Sequence, residues 1–317
     1  MNGLAVRAHL RGGEAEDTVM AMNKRGPGGK SGGGGGRGHR PGAVDHSVLT
    51  AYELRGGKVS APARKAAPIR RPVPSRPTVV WTEAQWLDAL PPVLAQLPAG
   101  VGEQTLNEAL SEMQQRQLAA YMVMLAHWNS TFNLTALRDA PEMLSHHLSD
   151  CLRVLAPLMR HLQTASLLSR EVPPRLLDVG SGGGLPGVVL AICCPQVQVT
   201  CVDTVGKKAA FIRQVAAELR LPNLKAEHAR VEQLQGRYEL ITSRAFASLP
   251  DFVKLTRGLL AEGAVWMAMK GKAPEEELVE LPADVAVFHV EPLQVPGLDA
   301  ERCLVWMRAE GEAQGAA

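Results

Sequence analysis

The segment Leu176-Leu-Asp-Val-Gly-Ser-Gly-Gly-Gly-Leu-Pro-Gly187 limits the fold more than any other stretch of this 317-residue chain. A short apolar run reads as a buried strand, stops at a glycine cluster and leads into a second apolar run of helical length. A strand that enters a helix through such a turn is the first half of a βαβ unit. The pattern then repeats. Strands are predicted over 176–179, 197–202, 224–228, 238–243, 264–269, 285–290 and 303–307, and helices over 187–194, 207–219 and 250–260. Alternation of this kind predicts a mostly parallel, doubly wound α/β sheet of seven strands. The last two strands have no long helix between them, which predicts an antiparallel hairpin at the sheet edge.

The first 80 residues have a different character. They hold 15 of the 30 glycines, including Gly32 to Gly36, and a proline-rich stretch from Pro62 to Pro77. They carry 14 Lys/Arg against 5 Asp/Glu, net +9, while the remaining residues carry 20 against 27, net −7, within an overall charge of +2. Residues 1–80 therefore read as a disordered basic tail that suits nucleic acid. Met20 and Met22 leave a later translation start open. Residues 310–317 read as a flexible C-terminus.

Between tail and sheet the spacing is helical. Thr82-Glu-Ala-Gln85 matches a capping box, and Leu106, Leu110, Met113, Leu118, Tyr121, Met122 and Leu125 recur at helical intervals. A helical cap over 81–170 is predicted, ahead of an α/β domain over 171–309. No apolar run reaches the ~18 residues of a bilayer span and no signal peptide leads the chain, so the cytoplasm is expected. The five cysteines, Cys151, Cys193, Cys194, Cys201 and Cys303, lack Cys-x-x-Cys spacing, so buried reduced thiols are expected and no metal site.

Two cofactor classes share the glycine loop. Gly182-x-Gly184-x-x-Gly187 satisfies a dinucleotide fingerprint, whereas the register that follows the strand directly is Gly180-x-Gly182-x-Gly184. Asp178 precedes it by two residues, where a carboxylate in the pocket would repel a pyrophosphate and accept an amino-acid ammonium. Asp203, ending the next strand, suits the two ribose hydroxyls of an adenosine. These features favour S-adenosylmethionine over a nicotinamide dinucleotide. Pro186 is expected in the first turn of the following helix.

With Asp203-Thr-Val-Gly-Lys-Lys208, Ser243-Arg-Ala-Phe-Ala-Ser248 and His127-Trp-Asn-Ser-Thr-Phe-Asn-Leu-Thr135 added to the glycine loop, the chain resembles the bacterial 16S ribosomal RNA guanine-N7 methyltransferases, also called the glucose-inhibited division protein B family. The resemblance spans residues 100–308. It implies a Rossmann-like class I methyltransferase fold with a small N-terminal helical cap, S-adenosylmethionine as cofactor and 7-methylguanosine in 16S rRNA of the small subunit as product. It further implies that Gly180, Gly182, Gly184 and Leu185 line the cofactor, Asp203 holds its ribose, Val231 and Glu232 flank its adenine, and Arg244 acts at its reactive side. The family's Arg-His-x-x-Asp-Ser element stands here as His146-His147-Leu-Ser-Asp150-Cys151. His146 would hold a phosphate only weakly near neutral pH. His147 and Asp150 fit either RNA positioning or attachment of the cap to the sheet.

Residue chemistry supports the same reaction independently. Guanine N7 has a free lone pair, so its methylation needs alignment rather than a base. The segment after the fourth strand, Thr242-Ser-Arg-Ala-Phe246, has neither the cysteine of carbon methylation nor the Pro-Pro of exocyclic amine methylation. Arg244 suits an orienting role, because a guanidinium stays protonated. Lys270, Lys207 and Lys208 are candidates for a local basic rim, and Phe246 for base stacking or core. Two rivals remain at this stage: an NAD(P)-dependent oxidoreductase, and a non-catalytic ribosome-assembly factor that retains a cofactor site. A monomer is expected, with no membrane contact.

Overall fold

The computed structural model describes residues 78–100 and 102–310. The sequence expectations for residues 1–77 and 311–317 lie outside them.

The cap opens with α1 (Glu83–Leu94), whose Thr82–Gln85 capping box forms as the sequence predicts. The apolar series from Leu106 to Leu125 is not one helix. Thr105 and Glu108 box the short α2 (Leu106–Ala109), and Ser111 and Gln114 box α3 (Glu112–Phe132). Two caps six residues apart break the run, and Met113 ends up 65% exposed instead of buried. Helix α4 (Ala140–Met143) continues through a π-helical stretch, Leu144–Ser149, into α5 (Asp150–Leu152), and α6 (Leu155–Thr164) completes the cap.

The sheet follows in the predicted sequence: β1 (Arg175–Val179), α7 (Gly187–Cys193), β2 (Gln198–Asp203), α8 (Gly206–Glu218), β3 (Leu224–His228), β4 (Tyr238–Arg244), α9 (Leu249–Thr256), β5 (Leu260–Lys270), α10 (Glu275–Val279), β6 (Val285–Leu293) and β7 (Arg302–Ala309). Its order is β3-β2-β1-β4-β5-β7-β6. Strands β1 to β5 are parallel, and β7 runs antiparallel to both β5 and β6. The helix predicted over 250–260 ends early. Gly258, a poor helix former, lies in a 3-10 turn, Arg257–Leu259, and Leu260 belongs to β5.

Both sheet faces are covered, and the strand residues divide between them with period two. Leu176, Leu240, Val265, Met267 and Trp306 pack with the cap, α7 and α8 in one core. Leu177, Val179, Ile241, Trp266 and Val305 pack with Phe252 and Val253 of α9 in the other. The cap is thus built into the first core. From α3, Gln114 donates to Ile192 O at 3.0 Å and Gln117 to Leu219 O at 2.8 Å, answering carbonyls at the ends of α7 and α8 that have no partner within their helices.

Candidate active site

Strand order reverses between β1 and β4, and in an open α/β sheet the crevice beyond the strand ends at that point is where ligands bind. Two adjoining cavities occupy it. The first, about 480 Å³, is lined by Thr135, His147, Asp150, Gly180, Leu185, Arg244 and Arg302 among others. The second, about 370 Å³, is lined by Asp203, Lys208, Val231, Glu232 and Phe246 among others. Gly180 and Ala245 line both and form the partition.

The partition explains one glycine directly. Gly180 has φ +67°, and a Cβ there would stand 2.5 Å from the Phe246 ring. Phe246 therefore packs on the glycine loop and against the core beneath α9, on the side of the second cavity. The loop's other face is held by the cap: Tyr121 donates to Gly183 O at 2.7 Å, and a Cβ on Gly183 would come within 2.7 Å of Leu125. Gly182 and Leu185 line the first cavity. Gly184 lines neither, because it faces Val188 of α7.

Asp203 is 7% exposed and already accepts two backbone hydrogen bonds, from Gly182 N at 3.0 Å and Val205 N at 2.8 Å. Each carboxylate oxygen keeps a further lone pair. Lys208 lies 3.6 Å away, so it is an ion-pair partner of Asp203 rather than part of a free basic rim. Lys270 is likewise occupied, by Glu277 at 2.7 Å and Ala247 O at 3.0 Å.

Asp178 departs from the sequence expectation. Its side chain turns beneath the start of α7, where Oδ2 accepts from Gly187 N at 2.8 Å, and it is fully buried outside the cavity lining. Burial raises its carboxyl to about 7, and Oδ1 has no hydrogen-bond partner. Pro186 is the cap residue just before α7 rather than part of its first turn, since the helix starts at Gly187.

Arg244, at the end of β4, reaches into the cap. Its Nη1 donates to His146 O at 3.0 Å and to Asp150 Oδ2 at 3.1 Å. Arg302, starting β7, donates from Nε to Asp150 Oδ1 at 3.1 Å. One carboxylate thus bridges two guanidiniums on different strands; the π-helical stretch delivers His147 to that point, and Asp150 follows it at the start of α5. His147 is lowered to about 4 by burial and by the Arg244 charge, so the ring is neutral. Its Nε2 lies 2.5 Å from Thr135 Oγ1.

The family described as rRNA small subunit methyltransferase G (GidB) matches residues 114–305, more than half of the chain. The chain belongs to this family. Ribosomal RNA small subunit methyltransferase G of Polaromonas naphthalenivorans (strain CJ2) is 59% identical over 208 residues, 66% of this chain and 93% of that protein. The protein of the same name from Leptothrix cholodnii is 60% identical over 213 residues, 67% of this chain and 94% of that protein. The matched span begins in α3 and ends in β7, so it contains every residue of both cavities named above. Membership in this methyltransferase family supports the methyl-transfer reading and lends nothing to a nicotinamide enzyme. In this family member the ring of His146 turns to Ser145 Oγ at 2.8 Å, and its backbone carbonyl is what holds Arg244. Cys151 is wholly buried, with its thiol pushed up by desolvation.

Three residues had no assigned role in the sequence reading: Thr135 and Arg302, which line the first cavity, and Tyr121, which supports its glycine loop. Tyr121 looked like one more apolar position of a helix, and Arg302 is a lone cation before the last strand. Thr135 ends the segment His127-Trp-Asn-Ser-Thr-Phe-Asn-Leu-Thr135 that carries part of the family resemblance, which is the one available signal.

Proposed function

We infer that this chain transfers the methyl group of S-adenosylmethionine to N7 of a specific guanine in 16S rRNA of the small ribosomal subunit, giving 7-methylguanosine. The observation that carries this reading is the pair of adjoining cavities, one lined by Asp203 and Glu232 and the other by Arg244 and Arg302, within the span matched to an rRNA methyltransferase family.

The residues present fit the cofactor. Asp203 at the wall of the second cavity keeps an open lone pair on each carboxylate oxygen, the acceptors that two neighbouring hydroxyls need. Asp203 would hold the ribose hydroxyls with its remaining lone pairs, Val231 and Glu232 would flank the adenine, and Gly180, Gly182, Gly184 and Leu185 would form the loop around the amino-acid portion. The bound cofactor supplies an electrophilic methyl on a sulfonium.

The chain's own contribution is alignment. Arg244 is anchored through Nη1 to Asp150 and the His146 carbonyl, with one Nη2–H directed at His147 Nδ1, which fixes the plane of a guanidinium whose Nε–H and second Nη2–H remain for substrate. The cap closes one side of the cavity through Thr135, His147 and Asp150, and so limits water. No side chain need accept a proton to create the nucleophile, because guanine N7 is already a free base. Cys151 and Cys201, both wholly or almost wholly buried with raised thiol pKa values, are not nucleophiles.

The wider reading is a cytoplasmic, monomeric enzyme in which a cap over 81–170 precedes a methyltransferase domain over 171–309. Among the described residues no helix is long and apolar enough to cross a membrane. The +9 charge of residues 1–80 would speed association with rRNA, and deleting them is expected to shallow the salt dependence of binding.

The test is tritium transfer from labelled S-adenosylmethionine to small subunits from a strain lacking the activity, with nucleoside analysis of the rRNA. Radiolabelled 7-methylguanosine that disappears with Arg244→Ala is the expected result. Cofactor binding without methylated rRNA would remove the substrate assignment. Failure to bind the cofactor would remove the whole reading.

A further inference from the structure

Thr135 lines the first cavity, half-buried, in a turn held by the buried Asn129. Asn129 Oδ1 accepts from Thr135 N at 2.9 Å and its Nδ2 donates to Leu137 O at 2.7 Å. The hydroxyl oxygen faces two groups. Leu137 N donates to it at 3.3 Å, and His147 Nε2 stands 2.5 Å away. The direction of the second bond depends on which ring nitrogen of His147 carries hydrogen.

The surroundings of Nδ1 decide that. Arg244 Nη2 points at it from 3.5 Å, and a guanidinium only donates. The His146 carbonyl lies 3.2 Å from Nδ1, but it already accepts from Arg244 Nη1 at 3.0 Å. A hydrogen on Nδ1 would oppose the hydrogens and charge of Arg244, whereas a lone pair there is stabilised by them. Hydrogen therefore sits on Nε2 and is donated to Thr135 Oγ1. With both lone pairs of that oxygen occupied, the Thr135 hydroxyl hydrogen has no acceptor among the described residues and is free to donate into the cavity.

We propose that Thr135 is a substrate-recognition residue whose hydroxyl, oriented by Arg244 through His147, donates a hydrogen bond to the carbonyl oxygen O6 of the target guanine. This inference rests on the guanine-N7 reading above. It adds that the pocket distinguishes guanine from purines lacking a carbonyl at C6. A chain in which a fixed cation sets the tautomer of a neutral histidine, and the histidine sets the direction of a hydroxyl, gives a donor of one sense only. Adenine, with an amino group at C6, meets that donor with another donor and is rejected.

The test uses the full-length protein and small subunits reconstituted with rRNA carrying guanosine, inosine or 2-aminopurine ribonucleoside at the methylated position. Inosine keeps O6 and 2-aminopurine lacks it, while both keep N7. Wild type is expected to methylate inosine like guanosine and to lose about tenfold in kcat/KM on 2-aminopurine, the worth of one neutral hydrogen bond. Thr135→Val is expected to lose about the same factor on guanosine and to show no further loss on 2-aminopurine, while Thr135→Ser restores the discrimination. Equal use of all three bases by wild type, or undiminished discrimination by Thr135→Val, overturns the proposal.

Nitrogen-15 spectra of the imidazoles supply a second readout independent of turnover. Hydrogen on Nε2 of His147 is expected, shifting to a mixture in Arg244→Ala, and hydrogen on Nδ1 in wild type overturns the proposal. If wild type methylates no guanosine substrate at all, the reaction assigned above fails instead, and the spectra still decide the direction of the Thr135 hydroxyl.

Discussion

The carboxylate of Asp150 meets the guanidinium of Arg244 at 3.1 Å across a separation of 94 residues. The contact joins the cap to the end of β4, and the same carboxylate holds Arg302 from β7, so three segments converge on one buried acid.

Removing that acid leaves two guanidiniums facing each other with little solvent. Asp150→Ala is expected to lower unfolding free energy by about 3 kcal/mol, the usual scale for stripping one partner from a buried ion pair. Urea denaturation followed by circular dichroism measures it. A loss below about 1 kcal/mol would mean the two arginines find other partners.

Tyr121→Phe keeps the ring and deletes one hydrogen bond. It leaves Gly183 O buried without a donor, which costs about 1–3 kcal/mol. Because that carbonyl belongs to the glycine loop, calorimetry is expected to show weaker S-adenosylmethionine binding as well as a lower Tm. Unaltered affinity would show that the loop keeps its shape without the cap hydroxyl.

Gly180→Ala confronts two penalties, a left-handed backbone at φ +67° and a methyl 2.5 Å from Phe246. The first costs about 1–2 kcal/mol and the second depends on whether the ring can move. Cofactor affinity is expected to fall steeply in the single variant and to recover in part in Gly180→Ala/Phe246→Ala. Absence of any recovery would assign the whole effect to the backbone.

Two buried groups titrate with opposite sign. Asp178 is raised by burial from 3.8 to about 7, so the folded state binds the extra proton, and its contribution is lost as pH rises through about 7. His147 is lowered by burial and Arg244 from 6.5 to about 4, so the unfolded state binds the extra proton and stability grows from pH 4 to 6.5. Over that shared window the two largely cancel. Relative to wild type, Asp178→Asn is expected to gain stability as pH rises from 4 to 6.5, and His147→Gln to lose it, each by about 3 kcal/mol. Chemical denaturation at closely spaced pH values reads both slopes, and parallel curves for all three proteins would refute the assignment.

The sheet was legible because its signals are local: apolar runs of strand length, a glycine turn and helices between. The residues around the second cavity were legible for the same reason, since Asp203 and Val231 stand at strand ends that the pattern marks. The first cavity was legible only in part: Gly180, Gly182, Leu185 and Arg244 stand in motifs the pattern marks, but the contacts that gather Asp150, Arg244 and Arg302 do not. Asp150 and Arg302 are 152 residues apart, and nothing in either neighbourhood announces the other. The orientation of Asp178 also escaped, because a strand-end acid two residues before a glycine suits a cavity wall and a helix start equally well. Lys270 and Lys208 looked like free cations until folding supplied Glu277 and Asp203 as partners.

Helix α3 has a consequence for how the protein comes into being. Its Tyr121 supports a loop that lies 62 residues later in the chain, and its glutamines answer carbonyls at the ends of α7 and α8. Synthesis from the N-terminus therefore delivers the template before the part shaped on it. The glycine loop is born into a chain whose supporting helix has already been made, and a circular permutant that placed α3 last would have to fold its cofactor loop without that guide.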